Sequence, residues 1–344
     1  MIPAIFLMGY SLIRPAETAA SARQALALCG GAVIPSLAVF LIGAKILIAS
    51  DIGTWIAKTP LRRLCAPLGV SSGGLVALTI GLVAGFPMGA VSLAALVRRE
   101  EISAEEATSL LPFCNAAGAG FVIGTVGGAF FGDRNFGVTL FFAQTVSALL
   151  LVLATADARR GETSVLSSSA RETRKGSAYA TAIAEGALAL LSICAFVLYF
   201  RVLSDALLTV AARLGLPQTS LVGTLLRGAL ELTGGLASLA KKTALSRAVR
   251  AAPAGAMLGY GGISVQMQVA DRVGDAFGRE GYLRGRATFA LVCAGFSALG
   301  DGVGLLPTGL IALLAAFGIL AARKIRKKPT FFRKKGGKMK RDTL

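Results

Sequence analysis

The chain has 344 residues, of which 54% are hydrophobic and 16% charged, and its mean hydropathy is +0.69. Soluble domains carry roughly 25% charged residues, so this composition excludes an ordinary soluble domain and favours a membrane protein. The formal net charge is +18 and there is no histidine, which excludes histidine acid–base chemistry. The five cysteines are scattered and lack metal-ligand spacing, so we expect no disulfide, metal site or cofactor.

Apolar runs long enough to cross a bilayer of about 30 Å recur along the whole chain. We predict spans near 2–13, 25–49, 107–131, 135–156, 179–203, 246–270 and 284–322. The last run is long enough for two helices, with a break near Asp301–Gly302. These runs predict a single transmembrane domain over residues 1–322.

Two further apolar segments, 72–97 and 206–240, are interrupted by Gly or Pro and lie between amphipathic or basic stretches. Such segments are typical of re-entrant helical hairpins, which enter and leave the membrane by the same face. A capping box, Ser103-Ala-Glu-Glu106, marks the start of the helix that follows the first hairpin.

A polar stretch at 157–178 is the one clear linker, and it divides the chain close to its midpoint. Repeat one then covers about 25–156 and repeat two about 179–322. Each half reads as a span, a hairpin, an interrupted span and a further span. The predicted fold class is therefore an all-α polytopic membrane protein with two inverted repeats, re-entrant helical hairpins and interrupted transmembrane helices. The side of the membrane that holds the linker stays open, because the linker and the tail are both basic.

The tail, 323–344, follows the last apolar run and has eleven Lys or Arg between Arg323 and Arg341, with no acid among them. This pattern predicts a cytoplasmic segment that contacts the anionic headgroups of the lipid bilayer. Nucleic-acid binding is the other interpretation of a basic tail. We do not favour it, because no nucleic-acid-binding fold accompanies the tail.

Helix-breaking residues recur at corresponding places in the two halves, which is the best sequence indication of a transporter's binding site. A helix broken at membrane depth exposes N–H groups that can hold an anionic group and carbonyls that can coordinate a cation. The predicted substrate-binding residues are Gly85, Phe86, Pro87, Gly89, Asn115, Glu231, Thr233, Gly234, Gly261, Gly262, Ser264 and Gln266.

Glu231 is the most informative single side chain. A carboxylate within a membrane segment is energetically expensive and indicates an ion or substrate path, and it could carry a proton. The alternative is a local ion pair with Arg227, four residues earlier on the same helix face. Both interpretations stay open. Three other charges, Lys45, Glu185 and Asp301, lie near span ends, and we interpret them as structural.

The strings Gly85–Ala90, Leu110–Gly118 and Gly261–Gln266 resemble, in that order, the nucleoside-recognition or "Gate" domain proteins. The closest likeness is to the sporulation integral membrane protein YlbJ-like family, and it covers about residues 25–300. A more distant similarity is to concentrative nucleoside transporters. The resemblance implies a transporter-like fold, a role in sporulation, a forespore membrane as one location, and passage of dipicolinic acid.

This chain departs from the nucleoside transporters at three places. Phe86-Pro87-Met88 stands where they carry Gln-Thr-Glu, Leu230-Glu231 replaces Asn-Glu, and Gly259 replaces the Asn of the second unwound helix. Only the acidic residue is retained. The altered site favours a small aromatic dianion held by two helix N-termini, with Arg227, Lys241 and Lys242 as candidate basic groups.

The sequence therefore predicts a gradient-driven permease for a small anionic metabolite in the bacterial cell membrane. Two alternatives are a transporter of nucleosides or other small solutes and a non-transporting membrane scaffold in spore assembly. We do not expect an enzyme, because no nucleophile–base pair is present. A homo-oligomer, the coupling ion and the direction of transport are left open.

Overall fold

The computed structural model of the protein describes residues 2–50, 52–156, 175–215 and 217–326. Within these ranges the chain is helical and has no strand. Four helices are long and apolar enough to cross a membrane, and a bent pair adds a fifth if it forms one crossing. They are Pro15–Ile48, Arg134–Ala154, Tyr179–Arg213 and Leu305–Lys324, with the bent pair Pro60–Leu68 and Ser72–Val83. This confirms the all-α class with helices of membrane-spanning type.

The described residues of the first half form nine α-helices, with π-helical or 3₁₀ segments between some of them. They are α1 Ile2–Ile13, α2 Pro15–Leu28, the π segment Cys29–Val33, α3 Ile34–Ala49, α4 Ile52–Lys58, the 3₁₀ turn Pro60–Leu64, α5 Cys65–Leu68, α6 Ser72–Val83, α7 Met88–Arg98, α8 Ala104–Cys114, the π segment Gly120–Phe130 and α9 Arg134–Ala154.

The described residues of the second half form seven α-helices. They are α10 Lys175–Arg213, α11 Leu221–Leu230, α12 Leu232–Ala240, α13 Arg247–Tyr260, α14 Gly262–Val273, α15 Tyr282–Val303 and α16 Leu305–Arg326. A long helix, a pair of short helices, a broken helix and a further long helix thus follow one another in both halves.

Several predicted boundaries need correction. The long helix α10 continues to Arg213, so the second pair of short helices covers 221–240 and not 206–240. The break in the last apolar run falls at Gly304, where φ is +89°, and not at Asp301–Gly302. The predicted linker 157–178 lies outside the described residues except for 175–178, which begin α10. The tail is described only to Arg326, where α16 ends.

Ser103 caps the start of α8, as the predicted capping box requires of it. Ser103 Oγ accepts the N–H of Glu106 at 3.1 Å. The Glu106 carboxylate also accepts the N–H of Ser71 at 2.7 Å. Because Ser71 is the N-cap of α6, this carboxylate joins the first turn of α8 to the start of α6.

The helices α13 and α15 approach closely along a pair of glycines. A Cβ atom at Gly255 would lie 2.7 Å from the carbonyl oxygen of Cys293, and one at Gly259 would lie 2.6 Å from Cα of Ala290. Small residues four apart allow such contact between membrane helices, where packing replaces the hydrophobic effect. The contact places the first turns of α15 beside the end of α13.

Candidate functional site

The turn between α6 and α7 rests against the point where α8 ends. The N–H of Phe86 donates to the carbonyl of Ala116 at 2.8 Å. A Cβ atom at Gly85 would lie 2.3 Å from the Gly118 nitrogen, and one at Gly89 would lie 2.2 Å from the Cys114 carbonyl oxygen. Glycine is therefore required at both positions, because any side chain would collide with backbone.

The chain is unwound between α8 and the π segment that begins at Gly120, and this stretch lies inside the protein. Backbone groups at such depth need partners, since no water is available to them. Gln144 on α9 supplies two: its Nε2 donates to the Ala117 carbonyl at 2.7 Å and its Oε1 accepts the Ala117 N–H at 3.1 Å. The hydrogen bonds from Gln144 and Phe86 explain how the break is maintained.

A matching contact joins the break between α11 and α12 to the break between α13 and α14. Gly261 and Gly262 both have positive φ, +87° and +78°. A Cβ atom at Gly262 would lie 3.2 Å from the Leu232 nitrogen and 3.4 Å from the Leu230 carbonyl oxygen. In each half, therefore, the turn of the short-helix pair lies against the break of the interrupted helix.

Glu231 is the residue at the turn between α11 and α12, and it is 2% exposed. Its Oε1 accepts the N–H of Thr233 at 2.7 Å and its Oε2 accepts the N–H of Gly234 at 2.6 Å. The carboxylate thus caps the N-terminus of α12, where a negative charge is stabilised by the helix dipole. The helix end that was expected to bind an anionic substrate already binds a carboxyl group of the chain itself.

Arg227 does not pair with Glu231, although the two lie four residues apart. Its Nη1 donates to Oδ1 of Asp205 on α10. The Oδ2 atom of Asp205 accepts Arg201 Nε at 2.9 Å and the Ser21 hydroxyl at 2.5 Å. The local ion-pair interpretation of Glu231 is therefore wrong in this conformation, and the partner of Arg227 comes from another helix.

Arg201 connects this ion cluster with Glu231. A Cβ atom at Gly234 would lie 2.9 Å from Glu231 Oε2 and 3.1 Å from Arg201 Nη1, so both groups approach the same glycine. On its other side the cluster borders a polar recess of about 400 Å³, lined mainly by α1, α2 and α10, with Glu17, Gln24 and Asp205 in its wall. Charged side chains thus lead from this recess to Glu231.

A small cavity lies where the two turns meet α3 and α10. Its volume is about 20 Å³, which suffices for about one water molecule. Its wall consists of Val33, Leu37, Phe86, Gly118, Phe121, Ile193, Val197, Glu231, Leu232, Thr233, Ser264, Val265 and Gln268. Both π segments contribute to it, through Val33 and Phe121, and π turns often occur at functional sites. A solute larger than water requires the turns to move apart.

Four of the twelve predicted site residues line this cavity: Phe86, Glu231, Thr233 and Ser264. Of the remainder, Gly85, Pro87, Gly89, Gly234, Gly261 and Gly262 shape the turns and breaks around it. The structure does not bring Gln266 to the cavity wall. Gln268 lies there, with its Oε1 buried and without a hydrogen-bond partner in the described part of the chain.

Asn115 is fully buried at the end of α8, and its carbonyl oxygen accepts Arg286 Nη1 at 2.8 Å. Its side-chain amide has no hydrogen bond of good geometry among the described residues, although Tyr282 is an interacting neighbour. Asn115 therefore acts on the break through its backbone, and its side chain does not reach the cavity.

The candidate basic groups do not surround the cavity. Lys241 and Lys242 follow the opposite end of α12 from Glu231, and Lys242 Nζ donates to the Thr219 carbonyl. Arg227 is held by Asp205. Of the described residues that line the cavity, Glu231 alone is formally charged.

Sequence reasoning missed four residues that organise the site: Gln144, Arg201, Asp205 and Arg286. Each is a polar residue inside or at the end of an apolar helix, which was the available signal. Arg201 and Asp205 pair with each other four residues apart, but the other partners of these residues lie far away in the chain, where spacing gives no indication of them. No group of three or more potential metal ligands occurs among the described residues.

Comparison of the chain with protein-family models, with curated proteins and with solved structures finds no match. The fold and the site define a membrane-type helical protein with a carboxylate-bearing internal cavity between two helix turns.

Proposed function

We propose that this protein is an integral membrane permease that moves a small solute through the cavity at Glu231. The observation that carries the proposal is the position of the Glu231 carboxylate, which is buried, lines the cavity and caps a helix that begins there. Intramembrane carboxylates of this kind mark ion and substrate paths. No P-loop is present in the sequence, so a gradient drives the movement.

Exchange of anions at the start of α12 provides a mechanism. Glu231 occupies the N–H groups of Thr233 and Gly234. A carboxylate of the solute takes these N–H groups when Glu231 binds a proton and releases them. Solute and proton then cross together, and the proton reaches Glu231 from the side of the polar recess.

The architecture we propose for this purpose is a pair of inverted repeats with re-entrant hairpins. Its support is the shared order of elements in the two halves and the length of the paired helices. The helices α6, α7, α11 and α12 have 12, 11, 10 and 9 residues. At 1.5 Å per residue each is about 18 Å or shorter, whereas a crossing needs about 30 Å.

For the solute we propose a small anionic metabolite, with dipicolinic acid as the first candidate, and for the location a bacterial cell membrane or forespore membrane. This choice depends on the resemblance to the YlbJ-like family of sporulation membrane proteins. The exchangeable carboxylate position at α12 supports it, because a dicarboxylate presents the group that this helix end binds.

A specific observation favours a second candidate, a neutral solute such as a nucleoside. The polar atoms on the cavity wall include two hydrogen-bond acceptors, the Glu231 carboxylate and the unpartnered Oε1 of Gln268. A solute with several N–H or O–H donors would satisfy both without displacing Glu231. The two candidates therefore differ in whether transport needs a negative charge on the solute.

The test is uptake of labelled dipicolinate and of uridine into proteoliposomes with an inward proton gradient. We expect dipicolinate accumulation by wild type and none by Glu231→Gln, while the variant still exchanges internal for external dipicolinate. The matched control is Glu185→Gln, which removes a carboxylate that is 51% exposed and paired with Lys45; it should transport as wild type does. Uptake of uridine alone would establish the second candidate.

Absence of uptake of both solutes by folded protein would favour the scaffold alternative. That alternative predicts that Glu231→Gln is harmless and that loss of the basic tail is not. The deletion should begin at residue 327, because Arg323 is 6% exposed and its Nη1 donates to the Pro67 carbonyl at 2.7 Å. A deletion from residue 323 would disturb helix packing as well as the tail.

A further inference from the structure

Arg286 is a buried charge that the transport mechanism above does not use. It lies in the second turn of α15 and is 0% exposed. In the described part of the chain it forms no ion pair with a carboxylate. All of its hydrogen bonds there go to backbone carbonyl oxygens. A lone guanidinium inside a membrane protein is costly unless the surroundings supply an equivalent negative charge.

The carbonyls come from the C-terminal ends of two different helices. Nη1 donates to Pro112 at 3.0 Å and to Asn115 at 2.8 Å, at the end of α8. Nε donates to Tyr260 at 3.1 Å, at the end of α13. A helix C-terminus carries a partial charge of about −0.5, so the two ends together balance one cation. Both ends are helix breaks that border the candidate site.

The local structure is shaped around this side chain. Gly261, which ends α13, has φ +87°, and a Cβ atom there would lie 2.9 Å from Arg286 Nη2. Gly285 lets α15 approach α8, since its Cβ atom would lie 2.6 Å from Cβ of Pro112. The ring of Phe289 lies 5.2 Å from the guanidinium carbon. A planar group with five donors suits this set of separated carbonyls better than an ammonium.

Carbonyl ends of broken helices are the groups with which transporters coordinate a coupling cation. We infer that Arg286 is a resident cation, which fills the place between the two helix ends that a monovalent ion would otherwise take. The protein then needs no sodium or other metal ion at this position. The expectation that transport needs no sodium rests on the proposed function. The expectation that Arg286 stabilises the two helix ends does not.

The first test measures thermal unfolding of purified Arg286 variants in detergent. We expect Arg286→Lys, which retains the charge, to melt above Arg286→Met, whose unbranched side chain is close in length to that of lysine and has no charge. Arg286→Ala should melt lowest and be raised by millimolar guanidinium chloride but not by tetramethylammonium chloride. If Arg286→Ala does not fold, the difference in melting temperature between Arg286→Lys and Arg286→Met decides. A Met variant that melts with or above the Lys variant, or equal responses to the two salts, would overturn the inference.

The second test uses wild-type protein and exchanges sodium for choline at constant chloride. The melting temperature should not change, because the cation site is already filled. A saturable rise with sodium would show that the protein binds a metal cation and would overturn the inference. Uptake in sodium and in choline should also be equal. If no uptake occurs in either salt, the result counts against the proposed permease function. The two thermal unfolding tests then decide whether Arg286 acts as a resident cation.

Discussion

Arg227 and Asp205 form an ion pair between α11 and α10, although Glu231 lies closer to Arg227 in the sequence. The pair frees the Glu231 carboxylate to cap α12 and to line the cavity. It also connects the first short helix of the second pair with a membrane-spanning helix. The position of Glu231 thus depends on a contact made by its neighbour.

Asp205→Asn should lower stability, because Arg227 and Arg201 would lose their shared carboxylate. Removal of one partner from a buried pair costs about 3–5 kcal/mol. We expect the lower end of that range, since the Asp205 side chain is 24% exposed. Thermal unfolding in detergent measures the loss. Glu185→Gln, which breaks an exposed pair worth about 0–1 kcal/mol, is the control, and an equal effect of both variants would contradict the prediction.

Gly81→Ala should be strongly destabilising, because a Cβ atom there would lie 1.7 Å from the Cys114 carbonyl oxygen. Overpacking costs about 1–3 kcal/mol, and we expect the upper end because backbone atoms must move apart. The matched control is Gly43→Ala in α3, where nothing lies within 4 Å of the added atom. That change should stabilise by about 0.5–1 kcal/mol. Melting temperatures that shift in the same direction would show that the contact between α6 and α8 is looser than described.

Gln144→Leu should destabilise the break after α8. It leaves the N–H and the carbonyl of Ala117 unpaired in the protein interior, and each orphaned group costs about 1–3 kcal/mol. Local opening should appear as faster hydrogen exchange at 115–119 in mass spectrometry. Gln218→Leu, which removes only a bond to the Thr209 hydroxyl, should leave exchange at these residues unchanged. Unaltered exchange in Gln144→Leu would mean that Phe86 alone maintains the break.

Asp133 should contribute stability that depends on pH. It caps α9, and the N–H of Phe136 is the largest cause that holds its pKa below the ordinary value, with Arg247 adding to the effect. A carboxylate with a lowered folded-state pKa stabilises fully above its unfolded pKa of about 3.9 and loses this contribution as the pH falls through the folded value. Asp133→Asn should therefore lower the melting temperature at pH 7 and have less effect near pH 3. An equal drop in melting temperature at pH 7 and near pH 3 would contradict a stabilising role of the Asp133 charge.

The sequence predicted the short-helix pairs and the breaks because their causes are local. Pro87 cannot continue a helix, the glycines at 85, 261 and 262 adopt positive φ at the breaks, and apolar runs of membrane length are visible directly. The sequence also singled out Glu231, which lies in the cavity wall, since an acid in an apolar stretch is conspicuous by itself.

Tertiary structure decided which polar groups meet. Gln268 and not Gln266 reaches the cavity, because a helix turns by about 200° over two residues and only packing selects the inward face. Arg286 looks in sequence like an ordinary cation near the start of a span, yet it binds carbonyls of residues 171 and 26 positions away. Hydrophobicity and helix breakers therefore determined the elements, whereas the charge partners were determined by long-range contacts that no local pattern encodes.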